Sequence, residues 1–326
     1  MKAIQRLCGV TLALFLALQT GMVAAQGTTY PTKPVRFLVG YAPGGGTDIT
    51  ARLIAERLAP ALGQPVVVEN RPGAGSNIAG DMVVKSPPDG YTLFVSSGAL
   101  STNPNLYTNM TFDPLKDLAP VIALTLLPNV IVVNADLPVK NVKELIAYAK
   151  ANPSKTSCAS SSAGSTGHLS CEMFNLQAGT TILHVPYKGS SAAIAAVLSG
   201  QPQLTFDQIP ATLPHIKSGR LRAIALTGLK RNSNLPDVPT TDESGMPGFH
   251  ANTWVSLFAP AGTPAAVVAR LNGEIQKILQ TDEFRARVTA MGMEPLGGSP
   301  ESLRAMLATD TAKWAKVIKA ANISPQ

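Results

Sequence analysis

The sequence predicts an α/β protein of two lobes, each a largely parallel sheet flanked by helices, on three observations. Apolar runs of strand length alternate with longer runs of helical period from Val35 onward, the pattern of successive strand-helix units. Setting aside an amino-terminal leader leaves about 300 residues, a length that suits two domains. One long apolar stretch in mid-chain is interrupted by Pro128, as for a strand that leaves one lobe and enters the other.

The leader comes first. Residues 1–25 combine Lys2 and Arg6 with an apolar run over residues 7–18 and end in Val23, Ala24 and Ala25, the layout of a secretory signal peptide cleaved after Ala25. That run is short for a bilayer span, and no later segment offers ~18 consecutive apolar residues. Cys8 lies at the start of that run and not at the cleavage site, so it does not serve as a lipid anchor there. Losing Lys2 and Arg6 lowers the formal charge from +7 to +5, an excess that favours anionic ligands. Nucleic acid is not expected, because the basic residues are scattered and no zinc spacing or RNA-binding signature occurs. Cys158 and Cys171 remain after cleavage. In an oxidising compartment they either pair as a disulfide or stay as buried thiols, and spacing alone does not choose; neither suggests a metal site.

From Val35, VRFLVGY reads as a strand, APGGG as a turn and TDITARLIAERLAPAL as a helix ending near Gly63. PVVVENRPGAGSNIAGDMVVKS repeats the unit, and GYTLFVSSGAL supplies a third strand ending in small residues. LAPVIALTLLPNVIVVNADLP carries the chain across, VKNVKELIAYAKANPSK is an amphipathic helix, and KTSCASSSAGSTGHLSCEMFNLQAG opens a second strand-loop-helix series. TILHVPYKG, SAAIAAVLSG, QLTFDQIPATLPHIKSG and LRAIALTG continue it. After the proline-rich NLPDVPTTDESGMPGFH come the strand TWVSLFAPAGTP and two helices, TPAAVVARLNGEIQKILQ and SPESLRAMLATDTAKWAKVIKAAN. The expected division is lobe 1 from 26–125 with 228–326, and lobe 2 from 126–227.

Several strands thus end in loops of Gly, Ala and Ser, where open α/β sheets bind ligands. A P-loop would need Lys then Ser or Thr after the last glycine, but Gly46 is followed by Thr47 and Asp48. In GAGSNIAG, Gly73 and Gly75 fit a dinucleotide fingerprint, yet the third glycine is Gly80 where Ile78 should be. A secreted serine hydrolase is the stronger rival. AGSTG resembles the nucleophile elbow around Ser165, with Asp207 and His215 or His250 as partners in chain order. His168 stands only three residues from Ser165 and suits a helix start better than a base.

The third reading is an anion clamp made mainly of backbone. Gly44, Gly45 and Gly46, then residues 73–76, then residues 162–166 each lead into a helix start, whose unpaired N–H groups and partial positive charge hold an oxyanion. Tight-turn geometry explains any one such loop, and their coincidence favours the clamp. Asp48 caps its helix or shapes the turn. Asp207, at the end of QLTFD, is either structural or an acceptor for a ligand hydroxyl, amine or water.

The ordered set YPTKPVRFLVGYAPGGGTDITARLIAERL, ENRPGAGSNIAG, PPDGYTLFVSS, NPNLY, SSAGSTGHL, VPYKGSSAAIAAVLSGQ, FDQIPATLPHIKSGRLRAIALT, LPDVPTTDESGMPGF and APAGTP resembles the receptors of tripartite tricarboxylate transporters, the Bug receptors. The resemblance covers essentially the whole mature chain. It implies a periplasmic solute-binding protein of type II, two lobes joined by crossing hinge strands that close like a Venus flytrap on a small carboxylate, with two waters bridging the carboxylate to the first lobe. By position, it implies first-lobe contacts from Tyr41, Gly45, Gly46, Thr47 and Asp48, from Gly73, Ala74, Gly75 and Ser76, and from Ser97. Second-lobe contacts would come from Ser162, Ser165, Thr166, His168, Tyr187 and Asp207. It further implies a monomer without catalysis or cofactor, delivering a di- or tricarboxylate, acidic amino acid or aromatic acid to large and small integral-membrane permease subunits. Two departures fall near the pocket: Ser101 and Thr102 where members vary, and Ser76 where a further glycine is frequent.

Overall fold

The computed structural model describes residues 30–153 and 155–324, so the leader and its cleavage point at Ala25 lie outside the described residues. Both sheets lie in the unit that begins at Lys33. In the first sheet, β1 (Val35–Val39), β2 (Val66–Asn70) and β3 (Thr92–Ser97) run parallel in the order β2-β1-β3. Each is followed by its helix: α1 (Gly46–Leu62), α2 (Asn77–Val84) and the short α3 (Ala99–Thr102). β4 (Leu118–Leu127) then passes through Pro128 into β5 (Asn129–Asn134) of the second sheet.

The second lobe continues through α4 (Val142–Ala151), β6 (Ser157–Ser160), α5 (Thr166–Ala178), β7 (Leu183–Pro186), α6 (Ser190–Leu198), β8 (Leu204–Gln208), α7 (Ile209–Lys217) and β9 (Leu221–Leu226). Its order is β7-β6-β8-β5-β9. The chain returns as β10 (Thr253–Pro260), then α8 (Ala265–Gln280), α9 (Asp282–Ala290), the two-residue β11 (Glu294–Pro295) and α10 (Pro300–Ala320). The first sheet is therefore ordered β11-β4-β10-β3-β1-β2.

The two-lobed α/β reading holds, with one difference: both sheets are mixed instead of mainly parallel. β10 runs antiparallel to β3 and β4, and β5 antiparallel to β8 and β9. These are strands next to a crossing, where the chain changes sheet and reverses direction. The parallel triplets β2-β1-β3 and β7-β6-β8 remain, and they carry the glycine- and serine-rich loops.

β5 shows why the second lobe is stable. Ile131 and Val133 enter one core with Phe174, Phe206 and Phe249, while Val130 and Val132 enter the core on the opposite face with Ile194 and Leu213. A strand buried on both faces reads as an unbroken apolar run, as NVIVVN does. Phe174, Phe206 and Phe249 pack with ring centroids 5.7–6.3 Å apart. Met246, Phe249 and Ala251, which follow the expected boundary at 228, also pack into this core. α10 is also shared. Leu303 and Leu307 lie in the first-lobe core with Phe94 and Trp254, whereas Trp314 and Ile318, further along the same helix, lie in the second.

Cys158 on β6 and Cys171 on α5 are buried free thiols in that core, so the disulfide alternative is not realised. Burial first, and Cys158 beside it second, push the Cys171 thiol well above its ordinary pKa.

Candidate functional site

The carboxyl ends of both parallel triplets open onto one cavity of about 690 Å³. The loop after β1 contributes Tyr41, Gly45, Gly46 and Thr47, the loop after β2 contributes Gly73, Ala74, Gly75 and Ser76, and β3 ends there in Ser97. From the second lobe come Ser162, Ser165, Thr166, Tyr187 and Asp207. Two expected contacts, Asp48 and His168, are not among the lining residues and act from behind them.

Asp48 sits in the first turn of α1 and shapes the loop before it. Its Oδ2 accepts from the Gly44 N–H at 2.9 Å, its Oδ1 accepts from Asn70 Nδ2 at 2.9 Å, and Arg52 Nε approaches at 3.0 Å. Burial opposes ionisation of this carboxyl, but the Arg52, Gly44 and Asn70 donors outweigh it and hold the pKa below the ordinary value. The turn is thereby fixed with Gly44 at φ +88°, leaving the helix start open to an anion. Gly46 has no room for a side chain: a Cβ there would lie 2.1 Å from Leu127 Cδ2 and 2.5 Å from Gln208 Oε1 of the second lobe.

The second loop is strained. Gly73, Ala74, Gly75 and Ser76 all have positive φ, with Ala74 at +45° and Ser76 at +82°. Left-handed backbone costs an L-residue roughly 1–2 kcal/mol, and such strain is characteristic of ligand-binding loops. Asn103 holds the loop from behind, donating to Gly75 O at 2.8 Å and to Asn77 Oδ1 at 2.7 Å. Ser76→Gly, which relieves one strained residue but loosens the unfolded chain, is expected to raise stability by about 0.5–1 kcal/mol in urea denaturation. In the same lobe Tyr41 Oη lies 2.6 Å from Ser97 Oγ. Burial pushes the Tyr41 phenol up to about 12, against the opposing Ser97 bond, so this hydroxyl pair stays neutral.

In the second lobe, Ser165 is the N-cap of α5: its Oγ accepts from the His168 N–H at 3.3 Å and donates to Ser162 O at 2.8 Å. Behind it, two histidines clamp the loop. His168 Nδ1 accepts from the Gly164 N–H at 3.0 Å, and its ring stacks on His184 at 3.7 Å and 15°. Ser160 Oγ donates to Ser162 O at 2.8 Å and lies 2.6 Å from His184 Nε2. A hydroxyl has one proton, so His184 Nε2 must be the donor in that contact. Burial lowers both imidazoles, His168 to about 4 and His184, further opposed by His168, to about 3. Both are neutral, and each end of the loop carrying Ser162 and Ser165 is held by one ring.

Thr102 and Ser101 also lie behind the cavity. Thr102 Oγ1 is 2.9 Å from Ala99 O and 3.0 Å from Gly164 O across the lobes, and Ser101 Oγ donates to Gly98 O at 2.6 Å. Residues that sequence reading missed include Asn129, Lys188, Ser190 and Gln208, all of which line the cavity. Lys188 is the only cation among the lining residues; its position beside Tyr187 in VPYKG was the available signal.

The expected hydrolase partners do not assemble. His250 Nε2 bonds Asp242 at 2.8 Å, while Asp207 Oδ1 accepts from Ser190 Oγ at 2.9 Å and from the Gln208 N–H at 2.7 Å. A serine used to cap a helix and a cavity walled by backbone and hydroxyls match something else. The sequence profile of the tripartite tricarboxylate transporter family receptor, TctC, matches residues 50–323. The chain belongs to this family. Rpa4515 of Rhodopseudomonas palustris, solved with adipate, is 39% identical at a TM-score of 0.87, covering 91% of this chain and 100% of that one. The periplasmic binding protein BugD is 38% identical at a TM-score of 0.85, covering 91% and 100%. MatC of the same R. palustris, solved with bound malate, is 32% identical at a TM-score of 0.81, covering 89% and 100%. This receptor is thus a solute-binding protein and not an enzyme, of a family of periplasmic binding proteins, and Ser165 caps α5.

Proposed function

We propose that the receptor binds a small carboxylate between its lobes in the periplasm, after loss of residues 1–25, and delivers it as a monomer to the large and small membrane subunits of a tripartite tricarboxylate-type transporter. The observation that carries this reading is convergence: the loops after β1, β2 and β3 and the start of α5 reach one cavity with backbone, hydroxyls and a single cation. Backbone donors and helix starts hold an anionic group, and side chains of the second lobe select the remainder of the molecule. Solved relatives carrying adipate and malate support the same class.

Closure follows from contacts that exist only when both lobes touch the ligand, because a solute shifts a two-state equilibrium only by its differential affinity for the closed state. The test is a thermal-shift screen of the mature chain against carboxylates of graded length and their amide or alcohol analogues. A ligand at a hundredfold its Kd adds ~2.7 kcal/mol to stability. Shifts confined to carboxylates are the expected result. A response to the uncharged analogues alone, or to nothing in a ligand-free preparation, overturns the reading.

A further inference from the structure

An anion clamp presents donors, and Asp207 is an acceptor set into its wall. It occupies the carboxyl end of β8, opposite Val130 of β5, with Asn129 and Gln208 the next pair along. The residue is 5% exposed. Its Oδ1 is engaged by Ser190 and by the Gln208 N–H, whereas Oδ2 is sealed from solvent and meets no partner. Asn129, 1% exposed, likewise has a side-chain oxygen without a partner. Both residues line the cavity, where the other titratable groups are Tyr41, Tyr187 and the exposed Lys188. A buried acceptor left unmatched costs about 1–3 kcal/mol, more when charged, and a second carboxylate placed against it adds repulsion. A donor on the ligand removes both penalties.

We propose, on the footing of the carboxylate-receptor reading, that the solute is a carboxylate that also carries an ammonium or hydroxyl group, and that this donor lodges against Asp207 Oδ2 and the Asn129 amide while the carboxylate takes the first-lobe loops. Asp207 is then the specificity residue of the site. Burial raises its pKa to about 6, against the Gln208 and Ser190 bonds, so at pH 8 it is ionised and has no proton of its own to offer. Near pH 5 it is protonated and can itself donate to a plain diacid.

Calorimetric titration of the mature protein at pH 8 with three matched sets tests this: succinate, malate and aspartate; glutarate, 2-hydroxyglutarate and glutamate; adipate and 2-aminoadipate. In the best-fitting set, the hydroxy or amino member should bind at least ~10-fold tighter than the plain diacid, as expected when a buried polar group is otherwise left unpaired. Asp207→Asn keeps Oδ1 for Ser190 and Gln208 and puts an NH2 where Oδ2 stood, so the preference should reverse toward the plain diacid. Should that variant not fold, the wild type titrated at pH 5 serves instead, and the gap between plain and donor-bearing members should shrink as Asp207 gains its proton. Equal or tighter binding of the plain diacid by wild type at pH 8 overturns the proposal and leaves the carboxylate reading standing. Failure of every carboxylate to bind removes that reading, and this proposal with it.

Discussion

Gly167→Ala is expected to weaken ligand binding at least ~10-fold and to destabilise the protein by about 1–3 kcal/mol, although helix propensity alone favours alanine over glycine by ~1 kcal/mol. Gly167 lies in the first turn of α5 and lines the cavity. A Cβ at this position would stand 2.6 Å from the carbonyl oxygen of Phe206, with Ser160 Cβ and Ser165 Oγ at 3.5 and 3.7 Å. The carbonyl belongs to β8, one residue before Asp207, and a sheet carbonyl has no rotamer through which to retreat. The helix must move instead. Ser165 and Thr166 at the start of α5 and Asp207 at the end of β8, all in the second-lobe wall of the cavity, would then lose their spacing, so affinity should fall together with stability. Calorimetry with the best-binding carboxylate and urea denaturation separate the two effects. A variant that gains stability and binds normally would show that α5 and β8 are not held at contact distance.

Much of the first-lobe half of this site was legible because strand, glycine turn and helix start are consecutive in the chain. VRFLVGYAPGGGTDIT announces all three, and the loops after β1, β2 and β3 do line the cavity as expected. Asp48 was legible as a turn residue but not as one withdrawn from the cavity, since the Asn70 amide that draws it back arrives from β2. His168 posed the same difficulty. Its spacing from Ser165 reads as a helix start, while its stacking partner His184 comes from β7, and nothing local pairs them. Strand direction was equally hidden. TWVSLFAP in β10 has the same apolar composition whichever way it runs, and periodicity carries no sign. α10 shows an apolar stripe without saying that Leu307 and Trp314 serve different cores. Local order in the sequence therefore recovers what consecutive residues build, and pairing across the fold decides which of them reach the cavity.

The histidine pair supplies the second large effect, a steep loss of stability in mild acid. Both rings are neutral in the folded state with pKa values depressed to about 4 for His168 and about 3 for His184, from an ordinary 6.5. In the unfolded chain they take up protons as the pH drops through 6.5, so below that point the unfolded state binds more protons and is favoured. Each ring contributes a fall of ~1.4 kcal/mol per pH unit inside its window, complete only when the folded pKa is passed. Glu172, 3.9 Å from His168 Nε2 and raised by its own burial, and Asp207, raised to about 6, act in the opposite sense and moderate the slope. The double variant His168→Asn, His184→Gln keeps an acceptor for the Gly164 N–H and a donor for Ser160 Oγ without a titrating ring. Urea denaturation from pH 7 to 4 should show the wild-type slope flattened in this variant, with ligand affinity at pH 7 retained to within a few-fold because both ends of the Ser162–Ser165 loop stay tied. An unchanged slope would mean that the imidazoles are not held neutral. A large loss of affinity at pH 7 with a flattened slope would instead place the stacked rings themselves, and not their two hydrogen bonds, as what sets the loop.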